Sequence, residues 1–119
     1  MTIIDVTNRF RTHRRRTGFT HDDVAFLLGG MSGSTVGRHE RCDRLPMLKT
    51  ALMYEFIFDA TIRELYDGIF AEVQAQVRER ARGLCASIEK EPPSPSRDHR
   101  LRVLRRIVGG GEEVRQRAA

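Results

Sequence analysis

Glycine and proline fall so often along this chain that they leave room mainly for short helices. Gly18, the Gly29–Gly30 pair, Gly33, Gly37, Pro46 and the Pro92–Pro93–Pro95 cluster punctuate it. Between them no segment alternates cleanly between apolar and polar residues, and β-branched runs are absent, so strand signals are weak. The expected class is all-α.

Local chemistry marks the helix ends. A first helix is expected from about Thr7 to Thr17, with Val6 and Phe10 as its few apolar members and Gly18 placed to end it. Five arginines crowd it: Arg9, Arg11, Arg14, Arg15 and Arg16. Thr20-His21-Asp22-Asp23 has the form of a capping box that opens a second helix, with the two aspartates opposing the positive end of the helix dipole. Val24, Leu27 and Leu28 give that helix an inward face, Phe26 is expected against the first helix, and Gly29–Gly30 stops it. Ser32 is placed to cap a third helix running to about Arg41, pinned inward by Val36. After Pro46 a fourth helix is expected to bury Leu48, Ala51, Leu52, Phe56 and Ile57. Thr61-Ile62-Arg63-Glu64, a second capping box, opens a short fifth helix carrying Ile62 and Leu65. These five form the expected first domain, a small orthogonal bundle over residues 1–68.

From Ile69 to about Glu91 the pattern changes. Phe70, Val73, Val77, Ala81, Leu84 and Ile88 recur every three or four residues, the mark of one amphipathic helix over 69–91. Its stripe calls for a surface on the bundle or on a second copy of the chain, and a homodimer is the expected assembly. Glu91-Pro92-Pro93-Ser94-Pro95-Ser96 reads as a linker, so residues 92–119 are expected as linker and basic tail, dispensable for folding.

Charge follows the same divisions. The chain holds 21 basic and 16 acidic residues, a net of +5. Residues 1–46 hold eight arginines against five acids, a net of +3; residues 47–96 hold six basic against eight acidic, a net of −2; residues 97–119 hold seven arginines against three acids, a net of +4. Basic ends around a slightly acidic middle suit a polyanion-binding front and a basic tail. The Arg14–Arg15–Arg16 run reads equally as a solvated face or as a phosphate contact.

Several classes are disfavoured. No apolar run is long enough to span a bilayer and MTIIDVTNRFRTHRRR lacks the apolar stretch of a secretory signal, so no membrane partner and a cytoplasmic location are expected. Cys42 and Cys85 lie far apart and are expected as free thiols. His39 and Cys42, three residues apart, would make only half of a metal site, and no metal is expected. Thr20, His21 and Asp22 are adjacent on one helical turn and fan outward rather than converge. With no phosphate loop, paired-carboxylate cleft or nucleophile elbow, neither an enzyme nor a cofactor nor a small-molecule ligand is expected.

The stretch FTHDDVAFLLGGMSGSTVGRHERCDRLPMLKTALMYEFIFDATIREL resembles the Cro/phage-repressor-like helix-turn-helix family, also called the xenobiotic-response-element family. Phe19-Thr20-His21-Asp22-Asp23-Val24-Ala25 answers the family's Leu-Thr-Gln-Glu-Glu-Leu-Ala, and Leu27-Leu28-Gly29 follows in register. Ser34-Thr35-Val36-Gly37-Arg38-His39-Glu40-Arg41 answers Ser-Thr-Ile-Ser-Arg-Ile-Glu-Arg, and Pro46-Met47-Leu48-Lys49-Thr50-Ala51-Leu52 answers Pro-Ser-Leu-Glu-Thr-Ala-Leu. The resemblance covers about residues 7 to 67. It implies a transcriptional regulator that binds double-stranded DNA, with a recognition helix at about 33–41 entering the major groove. The DNA-contacting residues it implies are Thr20, His21, Ser32, Gly33, Ser34 and Thr35, with Arg38, Arg41 and Arg44 extending the positive charge on the same side. The chain departs from the family run in three places. Its turn carries one extra residue, Gly29-Gly30-Met31; Gly33 and Gly37 replace larger residues; and His21 replaces a backbone-gripping Gln, bringing a charge that varies near neutral pH. The alternative reading is a helix-turn-helix-type protein-interaction or antitoxin-like partner.

Overall fold

Hydroxyl side chains decide where the helices begin. Thr20 Oγ1 accepts from the Asp23 amide at 3.0 Å while the Asp23 carboxylate accepts from the Thr20 amide at 2.9 Å, closing the expected capping box. Ser32 Oγ accepts from Thr35 N at 3.1 Å, Thr61 Oγ1 from Glu64 N at 3.0 Å, and Ser94 Oγ from Arg97 N at 3.0 Å. Each satisfies an amide that the helix itself leaves without an acceptor, an effect of about 1 kcal/mol. The structure is a computed structural model that describes residues 8–118, with side chains described for 8–109. Among these residues it is all-helical, with seven helices and no strand: α1 (Phe10–Thr17), α2 (His21–Leu27), α3 (Gly33–Glu40), α4 (Leu48–Phe58), α5 (Ile62–Leu65), α6 (Asp67–Ile88) and α7 (Pro95–Ala118). Val6 and Thr7, expected at the start of the first helix, lie outside the described residues.

Backbone geometry decides where several helices stop. Gly18 takes a left-handed conformation (φ 81°), and its amide closes α1 on the Arg15 carbonyl. The turn between α2 and α3 uses two left-handed glycines, Gly29 (φ 100°) and Gly30 (φ 104°), a geometry that other residues adopt only under strain.

Two compact units divide the chain between Ala71 and Glu72. In the first, α1 to α5 surround a core of Phe10, Val24, Leu28, Val36, Tyr54, Phe58, Leu65 and Tyr66, with Ala25 and Ala60. Phe10 lies at its centre, edge-on to Tyr54 with ring centroids 4.7 Å apart and to Phe58 at 5.2 Å. Polar groups inside this core are paired. His39 Nδ1 and Tyr54 Oη share a 2.6 Å hydrogen bond, and Tyr66 Oη donates to the His39 carbonyl at 3.1 Å. Burial, assisted by the Arg44 charge, lowers the His39 pKa, and burial raises those of both phenols. His39 is thus a satisfied core residue. Its neighbour in sequence, Cys42, accepts from Asn8 Nδ2 at 2.8 Å, and no cluster fit to hold a metal occurs among the described residues.

Two expectations about this core are corrected. Helix α4 turns Ala51, Tyr54 and Phe58 inward, and leaves Leu48, Leu52 and Phe56 exposed, Phe56 at 91%. The segment LKTALMYEFIF is apolar almost all round, so its periodicity is compatible with either face; aromatic contacts to Phe10 and the His39 partner for the Tyr54 hydroxyl favour the observed one. Phe26 points into solvent rather than onto α1, and Leu27 is half-exposed, because Val24, Ala25 and Leu28 already fill the inner side of α2.

The second unit overturns the expected basic tail. Residues 95–118 form helix α7, and residues Lys90 to Ser94 are the turn before it. Ser94 is its cap and Pro95 its first residue, where a missing amide hydrogen costs nothing. Leu101 and Leu104 bury against Ala81 and Ile88 of α6, with Cys85, Ile107 and Val108 around them. Val73, Val77 and Leu84, expected on the same buried stripe, are exposed. Polar ties support the pair: Arg97 Nη2 donates to the Glu89 carbonyl at 3.0 Å, Arg105 pairs with Glu89 at 3.2 Å, and Arg100 pairs with Glu91 at 2.6 Å. No helix among the described residues is long and apolar enough to cross a membrane.

Candidate nucleic-acid interface

Helices α2 and α3 pack closely on each other, with Val24 and Val36 fully buried. Their outer sides enclose a groove lined by Thr20, His21, Asp22, Gly33, Ser34, Gly37, Arg38 and Arg41. Six of the expected contact residues therefore meet in one place: Thr20, His21, Gly33, Ser34, Arg38 and Arg41. The other three lie outside the groove lining. Ser32 Oγ is the α3 cap and also lies 2.9 Å from Thr35 Oγ1, so both hydroxyls are engaged with each other. Arg44 is exposed beyond the end of α3.

Two residues of the groove were not anticipated there, Asp22 and Gly37. A Cβ on Gly33 would meet the Asp22 carboxylate, which would have to shift, and one on Gly37 would crowd the Arg41 guanidinium at 3.2 Å and touch the His21 ring at 3.6 Å. The two glycines thus form a low floor on which neighbouring polar side chains lie. Each costs about 1 kcal/mol of helix preference relative to alanine, a cost set against that close approach.

Beneath the groove lies a buried carboxylate. The Glu40 side chain is 3% exposed, and it accepts from Arg14 Nε at 2.7 Å and Arg11 Nε at 2.9 Å, with His21 Nε2 at 3.2 Å. Burial by itself would raise the Glu40 pKa; hydrogen bonds from Arg14, Arg11 and His21 outweigh it and hold the group at about 2. Arg14 also donates to the Phe19 carbonyl at 2.9 Å. Arg11 and Arg14 are therefore structural cations, while Arg15 and Arg16 of the same run are exposed and form no ion pair among the described residues. The sequence carries a signal for this network: Glu40 stands four residues after Val36, on the inner face of α3, where a carboxylate requires cationic partners.

The network changes what His21 offers. An ionised carboxylate only accepts, so the proton between the two groups sits on His21 Nε2. Nδ1 is then the free ring nitrogen, an acceptor in the neutral ring and a donor in the imidazolium. Thr20 Oγ1 is held by the Asp23 amide. Arg41 pairs with Asp43 at 3.0 Å in a contact open to solvent, while Arg38 is exposed and forms no ion pair among the described residues. No protein-family model, curated protein or solved structure matches the chain.

Proposed function

We propose that the chain is a sequence-specific DNA-binding regulator of transcription, a helix-turn-helix protein of the repressor-like type in which α3 enters the major groove. The observation that carries this reading is the groove at the start of α3. There Gly33 and Ser34 line the same groove as the exposed Arg38 and Arg41, whose two guanidiniums can reach phosphates or guanine. The exposed Arg15, Arg16 and Arg44 add positive charge to the same unit. The reading needs no cofactor, metal or catalytic group, places the protein with DNA in the cytoplasm, and calls for a homodimer on paired half-sites about 34 Å apart.

Selection of bound sequences from a random duplex pool, followed by titration of the winner at several salt concentrations, tests it. The expected result is one enriched motif whose affinity falls steeply with salt. Arg38→Ala should weaken binding to that motif by about 1–3 kcal/mol. No salt-dependent retention on any duplex would overturn the DNA reading and favour a protein-interaction or antitoxin-like partner instead.

A further inference from the structure

We infer that Asp22, a residue of α2, supplies a base-reading group at the start of α3, so that each half-site carries cytosine or adenine at one fixed position. The inference rests on the DNA-binding reading and specifies what that groove selects. The first residue of α3 is Gly33, which has no side chain to offer, and the Asp22 carboxylate occupies the space that a side chain there would enter. Of the next residues, Ser34 and Thr35 both place their hydroxyls on Ser32 Oγ, at 3.3 and 2.9 Å, so the short hydroxyls of that turn are engaged with one another. Asp22 is exposed, lines the same groove as Ser34 and Arg38, and makes no hydrogen bond or ion pair among the described residues. Its oxygens are therefore available, at the end of the helix that a major-groove reader turns toward base edges.

The chemistry of the carboxylate sets the preference. It is acceptor-only, and in the major groove only cytosine N4 and adenine N6 present amino donors, whereas guanine and thymine present acceptors at the matching places. Arg38, donor-only, suits guanine O6 and N7. The pair thus discriminates by opposite rules within one half-site. A carboxylate close to DNA is also repelled by every phosphate nearby, so it lowers affinity for all sequences except those that offer it an amino group. Asp22 trades general affinity for selectivity, and Gly33 leaves the carboxylate the space it occupies.

The experiment compares duplexes selected by the wild-type protein, Asp22→Ala, Asp22→Asn and Gly33→Ala. In the wild type, one column of the motif should favour cytosine or adenine over guanine or thymine by about 5- to 150-fold. Asp22→Ala should flatten that column alone, while raising affinity for random duplex. Asp22→Asn, which offers both a donor and an acceptor, should move the column toward adenine. Gly33→Ala, with Asp22 intact but displaced, should blur the same column. A motif whose columns are unchanged in Asp22→Ala, or one that prefers guanine or thymine where Asp22 acts, overturns the inference and leaves DNA binding standing. Failure of the wild-type protein to retain any duplex overturns DNA binding itself, and this inference with it.

Discussion

The unit that ends at Ala71 and the one that begins at Glu72 are held together by different means. The first has a core of interlocked aromatic rings around Phe10 and a buried carboxylate with two guanidiniums. Among the described residues the second buries Ala81, Ile88, Leu101 and Leu104, and its polar ties include exposed pairs such as Arg100–Glu91. Exposed pairs contribute little each, since water competes for both partners. The lesson is that helix count is a poor guide to where stability lies. The short helices α1 to α5 enclose an aromatic core, whereas the two longest helices, α6 and α7, meet among the described residues through four buried aliphatic side chains.

Three measurements would break or sharpen that contrast. The largest effect is expected in the aromatic core: Phe10→Ala should destabilise the first unit by about 3–5 kcal/mol, much of the stability of a small domain, in chemical denaturation. Loss of less than about 1 kcal/mol would show that Phe10 is not its centre.

The buried carboxylate comes next, and pH isolates it. The folded-state pKa of Glu40, about 2, is below the ordinary value of 4.5. Its contribution is therefore present in full above about pH 4.5 and is lost as pH falls toward 2. Glu40→Gln should cost about 2 kcal/mol at neutral pH and remove most of that acid-dependent loss. The lowered His39 pKa acts in the same direction but from a higher starting point: stability is full above the ordinary histidine value of 6.5 and declines as pH falls below it. A Glu40→Gln variant with an unchanged acid limb below pH 4.5 would assign the acid sensitivity to another group.

The smallest effect on the first unit should come from the second. Leu104→Ala should strip hydrogen-exchange protection from α6 beyond Ala81 and from α7, yet shift the unfolding free energy of the first unit by less than about 0.5 kcal/mol. A larger shift would mean that the two units unfold as one.

Much of the site was legible because it is local. Thr20 and Asp23 close their box within four residues, Ser32 caps α3 by accepting from an amide three residues on, and Gly33, Ser34, Arg38 and Arg41 follow one helical surface. Asp22 was legible only as a helix-dipole residue, because its contact with Gly33 depends on how α2 meets α3. The structural role of Arg11 and Arg14 was hidden for the same reason, since they meet Glu40 across 29 and 26 residues of sequence.

Helix starts at Thr20, Ser32 and Thr61, helix ends at Gly18 and Gly29, and the inward placement of Val36 were determined by the sequence alone. Each follows from hydrogen bonds, dihedral limits or periodicity acting over a few residues. Which face of α4 is buried, which arginines are spent on Glu40, and whether residues 95–118 hang free or pack on α6 were decided only in three dimensions. In each case the sequence permits more than one arrangement of similar local energy. Burial selects among them through partners distant in the chain: Phe10 for Tyr54 and Phe58, Glu40 for Arg11 and Arg14, and Ala81 and Ile88 for Leu101 and Leu104.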